Sequence, residues 1–306
     1  MTVPAFLAVD WGTTNLRAWV VDDAGGIVAG RDFPAFGVSR LAAGEVPLRF
    51  ADTIRPALEA QALPAILCGM VGSNLGWEPV DYVDCPADLR ALSARLHRVK
   101  AEGPPVWIVP GLRGRRLDGA PDVMRGEEVQ VLGWAAGAGD RARGSRLVCH
   151  PGTHAKWVRL VDGRIERFVT AMTGELYDLL RKHSVLKSGD GGEDETAFDE
   201  GLRAAGDGGA LAARLFTARS RVVGGDMAPA AVTSYLSGLL IGAEVASLPA
   251  LAGADPGEPV VLIGAPALCR RYRRALSARG VESLLHDGDE AVLAGLKALF
   301  VTERVR

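Results

Sequence analysis

The strongest constraint on this chain is a repeat. Residues 6–9 form a short apolar run, followed by the polar turn Asp10-Trp11-Gly12-Thr13-Thr14-Asn15. Residues 16–21 then alternate with the period of a strand, Leu16, Ala18 and Val20 on one face and Arg17, Trp19 and Val21 on the other. Asp22-Asp23-Ala24-Gly25-Gly26 reads as a hairpin turn, and residues 27–33 as a third strand. The same order returns later: a strand at 146–150, the turn Pro151-Gly152-Thr153-His154, a strand at 155–161, the hairpin turn Asp162-Gly163 and a strand at 164–170. Two meanders, each with a Gly-Thr turn between its first two strands, predict two related halves. The length of 306 residues agrees with about two domains at roughly 150 residues each.

Between the meanders the pattern predicts a helix at 47–61, with Leu48, Ala51, Ile54 and Leu58 at helical spacing, then a buried strand at 64–68. A Gly-rich segment at 69–77, a helix at 89–99, a strand at 106–109, an Arg/Gly-rich loop at 113–121 and a helix at 127–136 follow. Residues 137–144 read as a linker. The second half continues largely helical, with an acidic Gly-rich loop at 189–195, a buried strand at 259–263 stopped by Gly264-Ala265-Pro266, and helices at 268–279 and 290–300. Strands mixed with helices in two halves give an α/β class.

Composition narrows the function classes. Lys+Arg is 35 and Asp+Glu is 37, a net charge of −2, which removes the electrostatic case for nucleic acid as the main partner. Cys68, Cys85, Cys149 and Cys269 lie far apart with no paired metal spacing, as expected of reduced thiols in a cytoplasmic protein. The first residues lack a basic segment, so no signal peptide is expected, and the uncharged run 227–243 is shorter than the roughly 20 residues of a membrane span. No Walker A motif, GxGxxG, kinase catalytic loop, HExxH or GxSxG is present.

The two Gly-Thr turns carry the chemistry. Gly12 lets the backbone approach a ligand closely, successive amides of such a turn form an anion site, and Thr13 and Thr14 add hydroxyls. Arg17 can lean toward a bound phosphate. Asp10 makes sense beside phosphate if a Mg²⁺ lies between them, held directly or through water. The second turn repeats this without the acid, and Lys156 follows His154. Pro151-Gly152 forbids a helix between His150 and His154, so a metal pair there is not expected. Two such turns point to a nucleotide clamped between two domains, with the strand at 260–265 lying flat against adenosine. A plain β-turn at each site is the alternative.

At the start of the 127–136 helix, Glu127 and Glu128 are either dipole complements or a base that accepts a substrate hydroxyl proton; Arg125 can bind an anionic substrate. In the Gly-rich segment, Gly72, Ser73, Asn74 and Trp77 suit a polyhydroxy ligand, or form a packed loop. Tyr82 and Asp84 are weaker candidates.

Taken together, VDWGTTNLRAW (9–19), CGMVGSNLGW (68–77), PDVMRGEEVQVLG (121–133), PGTHAKWV (151–158), TAMTGELYDLLRKHSVL (170–186) and YLSGLLIGAE (235–244) resemble the 2-dehydro-3-deoxygalactonokinase family of the actin, hexokinase and Hsp70-like ATPase superfamily. The resemblance implies two RNase H-like domains with mixed five-stranded sheets around a nucleotide cleft. It implies domains at 1–140 and 145–288, with the C-terminal helix 289–303 crossing back to the first. It further implies ATP- and Mg²⁺-dependent phosphorylation of 2-dehydro-3-deoxy-D-galactonate at its 6-hydroxyl, in galactonate breakdown. Asp10, Gly12, Thr13 and Thr14 then resemble phosphate-1, with Arg17 beside it. Gly152 and Thr153 resemble phosphate-2, and Gly264 and Ala265 the adenosine strand. Related sugar kinases carry an Asp in or before phosphate-2; this chain has none there, which leaves Glu127 or Glu128 as base and Asp122 as a rival. Expected partners are the sugar acid and ATP, without nucleic acid or membrane; a homo-oligomer stays open. The alternatives are a kinase of the same fold for another acid, such as the gluconate epimer, and a non-catalytic nucleotide or sugar sensor. With the first strand starting by residue 6 and a charge of −2, no DNA-binding extension is expected.

Overall fold

The computed structural model describes residues 2–42, 44–187, 191–206 and 210–304. Its strands run in chain order as β1 (Pro4–Trp11), β2 (Leu16–Asp22), β3 (Ile27–Phe33), β4 (Ala65–Gly69), β5 (Val83–Asp84), β6 (His97–Arg98), β7 (Val106–Ile108), β8 (Leu112–Arg115) and β9 (Pro121–Met124). After the midpoint come β10 (Ser145–His150), β11 (Ala155–Val161), β12 (Arg164–Ala171), β13 (Val260–Gly264) and β14 (Ser283–Asp287).

The repeat read from the sequence is a repeat of topology. One sheet has the order β3-β2-β1-β4-β7-β6, the other β12-β11-β10-β13-β14. In each, an antiparallel meander is extended by parallel strands beside its first member: β4 runs parallel to β1, and β13 to β10. This is the RNase H-like arrangement, present twice. Because β1 is central, both its faces are covered: Leu7, Val9 and Trp11 enter one apolar cluster, Phe6 and Ala8 another. A strand buried on both faces reads as a continuous apolar run, which is how residues 6–9 stand out.

The first sheet departs from the five strands expected, since β6 adds a two-residue edge. The helix expected at 89–99 covers only Leu89–Ser93, started by Asp88 accepting from the Ala91 amide at 2.8 Å. The chain then opens because His97 pairs with Ile108. The helix expected at 47–61 runs from Glu45 to Ala57 through a wider π-type middle, Phe50–Ile54. It stops where the buried Arg55 side chain donates to the carbonyls of Ala60 and Leu63. The loop expected at 113–121 is instead the β8–β9 hairpin of a third, small sheet ordered β5-β8-β9. Residues 189 and 190 of the expected acidic loop lie outside the described residues.

Two helices link the sheets. Glu127–Ala138 and Gly288–Arg304 cross at Gly133 and Gly295, where backbones meet so closely that a Cβ on Gly133 would stand 2.1 Å from the Ala291 carbonyl oxygen. The final helix lies against the first sheet, with Phe300 stacked on Phe6 at 4.0 Å and Trp107 edge-on at 6.1 Å. The helical stretch 229–251 has the length and hydropathy of a membrane span, yet 78% of that window is buried inside the fold. Within it, the Glu244 carboxylate accepts from Trp157 Nε1 at 2.7 Å and the Tyr272 hydroxyl at 2.8 Å.

Candidate active site

Both Gly-Thr turns open onto one cavity of about 400 Å³ between the two sheets, lined by Gly12, Thr13 and Thr14 from one and Gly152 and Thr153 from the other. Each turn is braced from behind. The Gly12 and Thr13 carbonyls accept from the amides of Val38 and Ser39, both at 3.1 Å, and Ser39 Oγ adds a 2.7 Å bond to Thr13. Peptide planarity turns the next amides, of Thr13 and Thr14, the opposite way. In the second turn the Thr153 carbonyl accepts from the Glu175 amide at 3.0 Å, and Gly174 packs so tightly on Gly152 that a side chain there would clash. Both turns are thus held rigidly at one shared space, and turns of this kind can present successive amides to an anion.

Asp10, at the end of β1, lines the cavity and is 9% exposed. Its Oδ2 accepts from Arg17 at 2.6 Å, while Oδ1 has only the Cys68 thiol, at 3.8 Å. Arg17 also pairs with Asp289, at the start of the final helix. Arg17 is therefore held by two carboxylates and does not line the cavity, which corrects the expectation that it leans on phosphate. Asp289 escaped sequence reading because 272 residues separate it from Arg17. Among the described residues no three His, Cys, Asp or Glu side chains converge as a metal cage. A Mg²⁺ ion usually takes one or two carboxylates and completes its shell with substrate phosphates and water. Asp10 Oδ1, whose one contact is the Cys68 thiol, would be the oxygen to hold such an ion.

The start of the Glu127–Ala138 helix forms another wall. Glu127 lines the cavity, with Oε1 3.2 Å from Lys156 Nζ and Oε2 accepting from the Arg125 amide at 3.1 Å. Glu128 is fully buried and turned back, both its oxygens on the Gly126 amide at 2.9 and 2.7 Å. Burial, with the neighbouring Glu127 charge, pushes its carboxyl up to about 8. Of the acidic pair only Glu127 reaches the cavity. Asp122 is engaged elsewhere, accepting from the Thr170 amide at 2.7 Å and hydroxyl at 2.6 Å. Gln130 and His150 complete this wall, joined at 2.9 Å. Burial holds the His150 imidazole below the usual histidine range. His154 stands at the cavity's edge, exposed and paired with Glu175 at 2.5 Å.

Arg125 also lines the cavity. Its guanidinium sits 4.3 Å from the Tyr82 ring centre, and Nη2 donates to the Val80 carbonyl at 2.6 Å. Nε and Nη1 are buried without a partner, an arrangement that an anionic ligand would satisfy. Gly72 lies beneath it: a Cβ there would stand 3.0 Å from Arg125 Nη1. The other loop candidates are not brought to the cavity. Ser73 Oγ closes its own turn by donating to the Met70 carbonyl at 2.7 Å, Asn74 is exposed away from the lining, and Trp77 packs on Phe50 at 5.3 Å. Asp84 pairs with Arg113 on the small sheet. Gly264 and Ala265 end β13 just behind the cavity, Gly264 against Pro151 of the second turn. Gln130 joins the lining without having been singled out from sequence, as does Lys156, noted only as following His154; Gly69 and Met70 come from the Gly-rich segment. For Lys156 the signal was its place after the second turn.

Two Gly-Thr turns facing one cavity, on duplicated RNase H-like sheets, are the setting of a phosphotransferase: this is a kinase. The family model described as 2-keto-3-deoxy-galactonokinase matches residues 10–299, and the chain belongs to that family. It is 36% identical to the 2-dehydro-3-deoxygalactonokinase of Escherichia coli (strain K12), over 96% of this chain and 97% of that one. It is 40% identical to DgoK1 of Rhizobium meliloti (strain 1021), over 97% of each. A crystal structure from Sinorhizobium meliloti described as a 2-dehydro-3-deoxygalactonokinase protein superposes with a TM-score of 0.85 at 37% identity, covering 97% of this chain and 98% of that one.

Proposed function

We propose that this protein transfers the γ-phosphoryl group of ATP to the 6-hydroxyl of 2-dehydro-3-deoxy-D-galactonate, a step of galactonate catabolism in the cytoplasm. The observation that carries the site assignment is the position of Glu127, a carboxylate at the wall of a cavity that both Gly-Thr turns share. Phosphoryl transfer asks mainly for positioning and charge neutralisation, so a carboxylate within reach of the acceptor hydroxyl suffices as base. In this reading Gly12, Thr13 and Thr14 hold one part of the triphosphate, Gly152 and Thr153 the other, and the end of β13 at Gly264-Ala265 backs the adenosine. Arg125, with two buried donors unpaired, receives the carboxylate of the sugar acid. Gly72 leaves room for that guanidinium.

Asp10 would hold Mg²⁺ through water, and the ion would neutralise phosphate charge. The remaining work falls to the chain: the cradles align the phosphates, Arg125 fixes one end of the acid, and Glu127 takes the proton at the other. The lobes in this reading are 1–140 together with the final helix, and 145–288. Closure between them would exclude water that would otherwise consume ATP.

The test is a pair of conservative variants assayed for ADP release with the acid. Glu127→Gln should lose about 100-fold or more in turnover, the range of a lost general base, with the KM for ATP unchanged. Arg125→Met should raise the KM for the acid with less effect on turnover at saturation. Full turnover in Glu127→Gln would remove the base assignment.

A further inference from the structure

Each lobe presents the same cross-strand position at the mouth of its phosphate cradle. Asp10 faces Arg17 across β1 and β2; His150 faces Lys156 across β10 and β11. The two cations are engaged differently. Arg17 is satisfied by Asp10 and Asp289 and does not reach the cavity. Lys156 is 4% exposed and lines the cavity beside Gly152 and Thr153. Its Nζ lies 3.2 Å from Glu127 Oε1 and donates to the His154 carbonyl at 3.2 Å. An ammonium has three donors, so one remains beyond these two contacts. A buried ammonium is costly unless paired, and here the pairing carboxylate is the one assigned as base.

We propose that Lys156 is a catalytic residue of the phosphoryl transfer, its ammonium contacting the γ-phosphoryl oxygens and exchanging that contact with Glu127 as the reaction proceeds. This rests on the kinase reading given above. In the step, the 6-hydroxyl oxygen forms a bond to the γ-phosphorus. The bond from that phosphorus to the β,γ-bridging oxygen breaks, its electron pair leaving on ADP. The hydroxyl proton passes to Glu127, which becomes neutral and loses its hold on the ammonium as negative charge builds on the bridging oxygen and the transferred group. Lys156 keeps its proton throughout. One cation thus serves two anions in turn, and the proton transfer and the charge stabilisation are coupled through it.

The experiment uses the full chain as wild type, Lys156→Met, Lys156→Arg and the double variant Glu127→Gln/Lys156→Met. Binding of a non-hydrolysable ATP analogue and of ADP is measured by calorimetry, and ADP release is followed with the acid. Lys156→Met should lower turnover about 100- to 1000-fold, the range for one lost charge-stabilising donor. It should weaken the ATP analogue about tenfold, one charge-assisted contact, while leaving ADP within about threefold. Lys156→Arg should restore part of both. The double variant should fall little below the worse single one, because the two residues act as a unit. Retained ADP affinity shows that the variants are folded. Turnover of Lys156→Met within about threefold of wild type, or an equal loss for analogue and ADP, would overturn the assignment. If the wild type phosphorylates no acid, the kinase reading fails, and the analogue-versus-ADP difference still decides whether Lys156 touches the γ-phosphoryl.

Discussion

Asp122 on β9 accepts hydrogen bonds from both the amide and the hydroxyl of Thr170 on β12, at 2.7 and 2.6 Å, and so fastens the small sheet to the edge of the second large one. A second tie lies nearby, where Ala87 and Ile165 exchange amide–carbonyl bonds of 3.0 and 2.8 Å. The chain leaves β9 directly into Arg125 and Glu127. The fastening therefore sets where Arg125 and Glu127, the proposed acid-binding and base residues, stand relative to the second Gly-Thr turn and Lys156.

Asp122→Ala should accordingly behave as the loss of a brace. A carboxylate with two such bonds contributes about 1.5–3 kcal/mol, so urea denaturation should show a loss of that order. The KM for the sugar acid should rise while turnover at saturation stays within about tenfold of wild type. A collapse of turnover with unchanged stability would instead return Asp122 to the role of base.

The crossing at Gly133 and Gly295 gives a second prediction. A Cβ on Gly295 would stand 2.3 Å from the Val129 carbonyl oxygen, a contact that only separation of the helices relieves. Gly295→Ala should destabilise by about 1–3 kcal/mol, as overpacking does, although alanine favours the isolated helix by about 1 kcal/mol. Because the same two helices present Glu127 and Asp289, activity should fall along with the melting temperature. Unchanged stability would mean that the crossing is not tight.

Glu128 predicts a pH signature. Its carboxyl is raised from 4.5 to about 8 in the folded protein, through burial and the adjacent Glu127 charge. Between those values the folded state holds a proton that the unfolded state has released. The contribution of Glu128 to stability is therefore present at low pH and is lost as pH rises through the folded value. Glu128→Gln removes that dependence. The stability of the variant relative to wild type should increase with pH between about 5 and 8, by up to about 1.4 kcal/mol per unit. Denaturant melts at a series of pH values read this directly, and a pH-independent difference would contradict the buried, protonated Glu128.

Asp10→Asn tests the cation site. The hydrogen bond from Arg17 can persist on an amide oxygen, whereas the charge proposed to hold Mg²⁺ is lost. Turnover should fall about 100-fold or more, with ATP binding weakened far less. Chelation of divalent ions should abolish wild-type activity and readdition of Mg²⁺ restore it. Activity that survives both treatments would remove the metal role.

What the sequence disclosed and what it concealed divide along physical lines. The meanders at 4–33 and 145–171 were legible because alternation, hairpin turns and Gly-Thr turns are local signals. Glu127 and Arg125 were legible as charged residues opening a helix. The small sheet was hidden because Arg113–Arg116 and Asp118–Gly119 have the composition of a loop, while the partner of Leu112 is Val83, far back in the chain. The helix expected at 89–99 was cut short by a pairing outside its own turn, His97 with Ile108. Ser73 and Asn74 had the chemistry of a sugar site, but the Ser73 hydroxyl is engaged within its own turn and Asn74 is exposed outside the cavity lining. Arg17 looked free until the final helix brought Asp289 beside it. Composition shows which groups can bind a ligand; only the fold shows which are already engaged.

The central claim is phosphoryl transfer to one particular acid. It is tested most directly by ADP release from Mg-ATP with 2-dehydro-3-deoxygalactonate and, in parallel, with its gluconate epimer, the phosphorylated carbon being identified by phosphorus NMR. The account predicts strong turnover on the galactonate form and phosphate on its 6-oxygen. Turnover on the epimer alone would contradict the substrate, and binding of nucleotide and acid with no ADP released would contradict the enzyme.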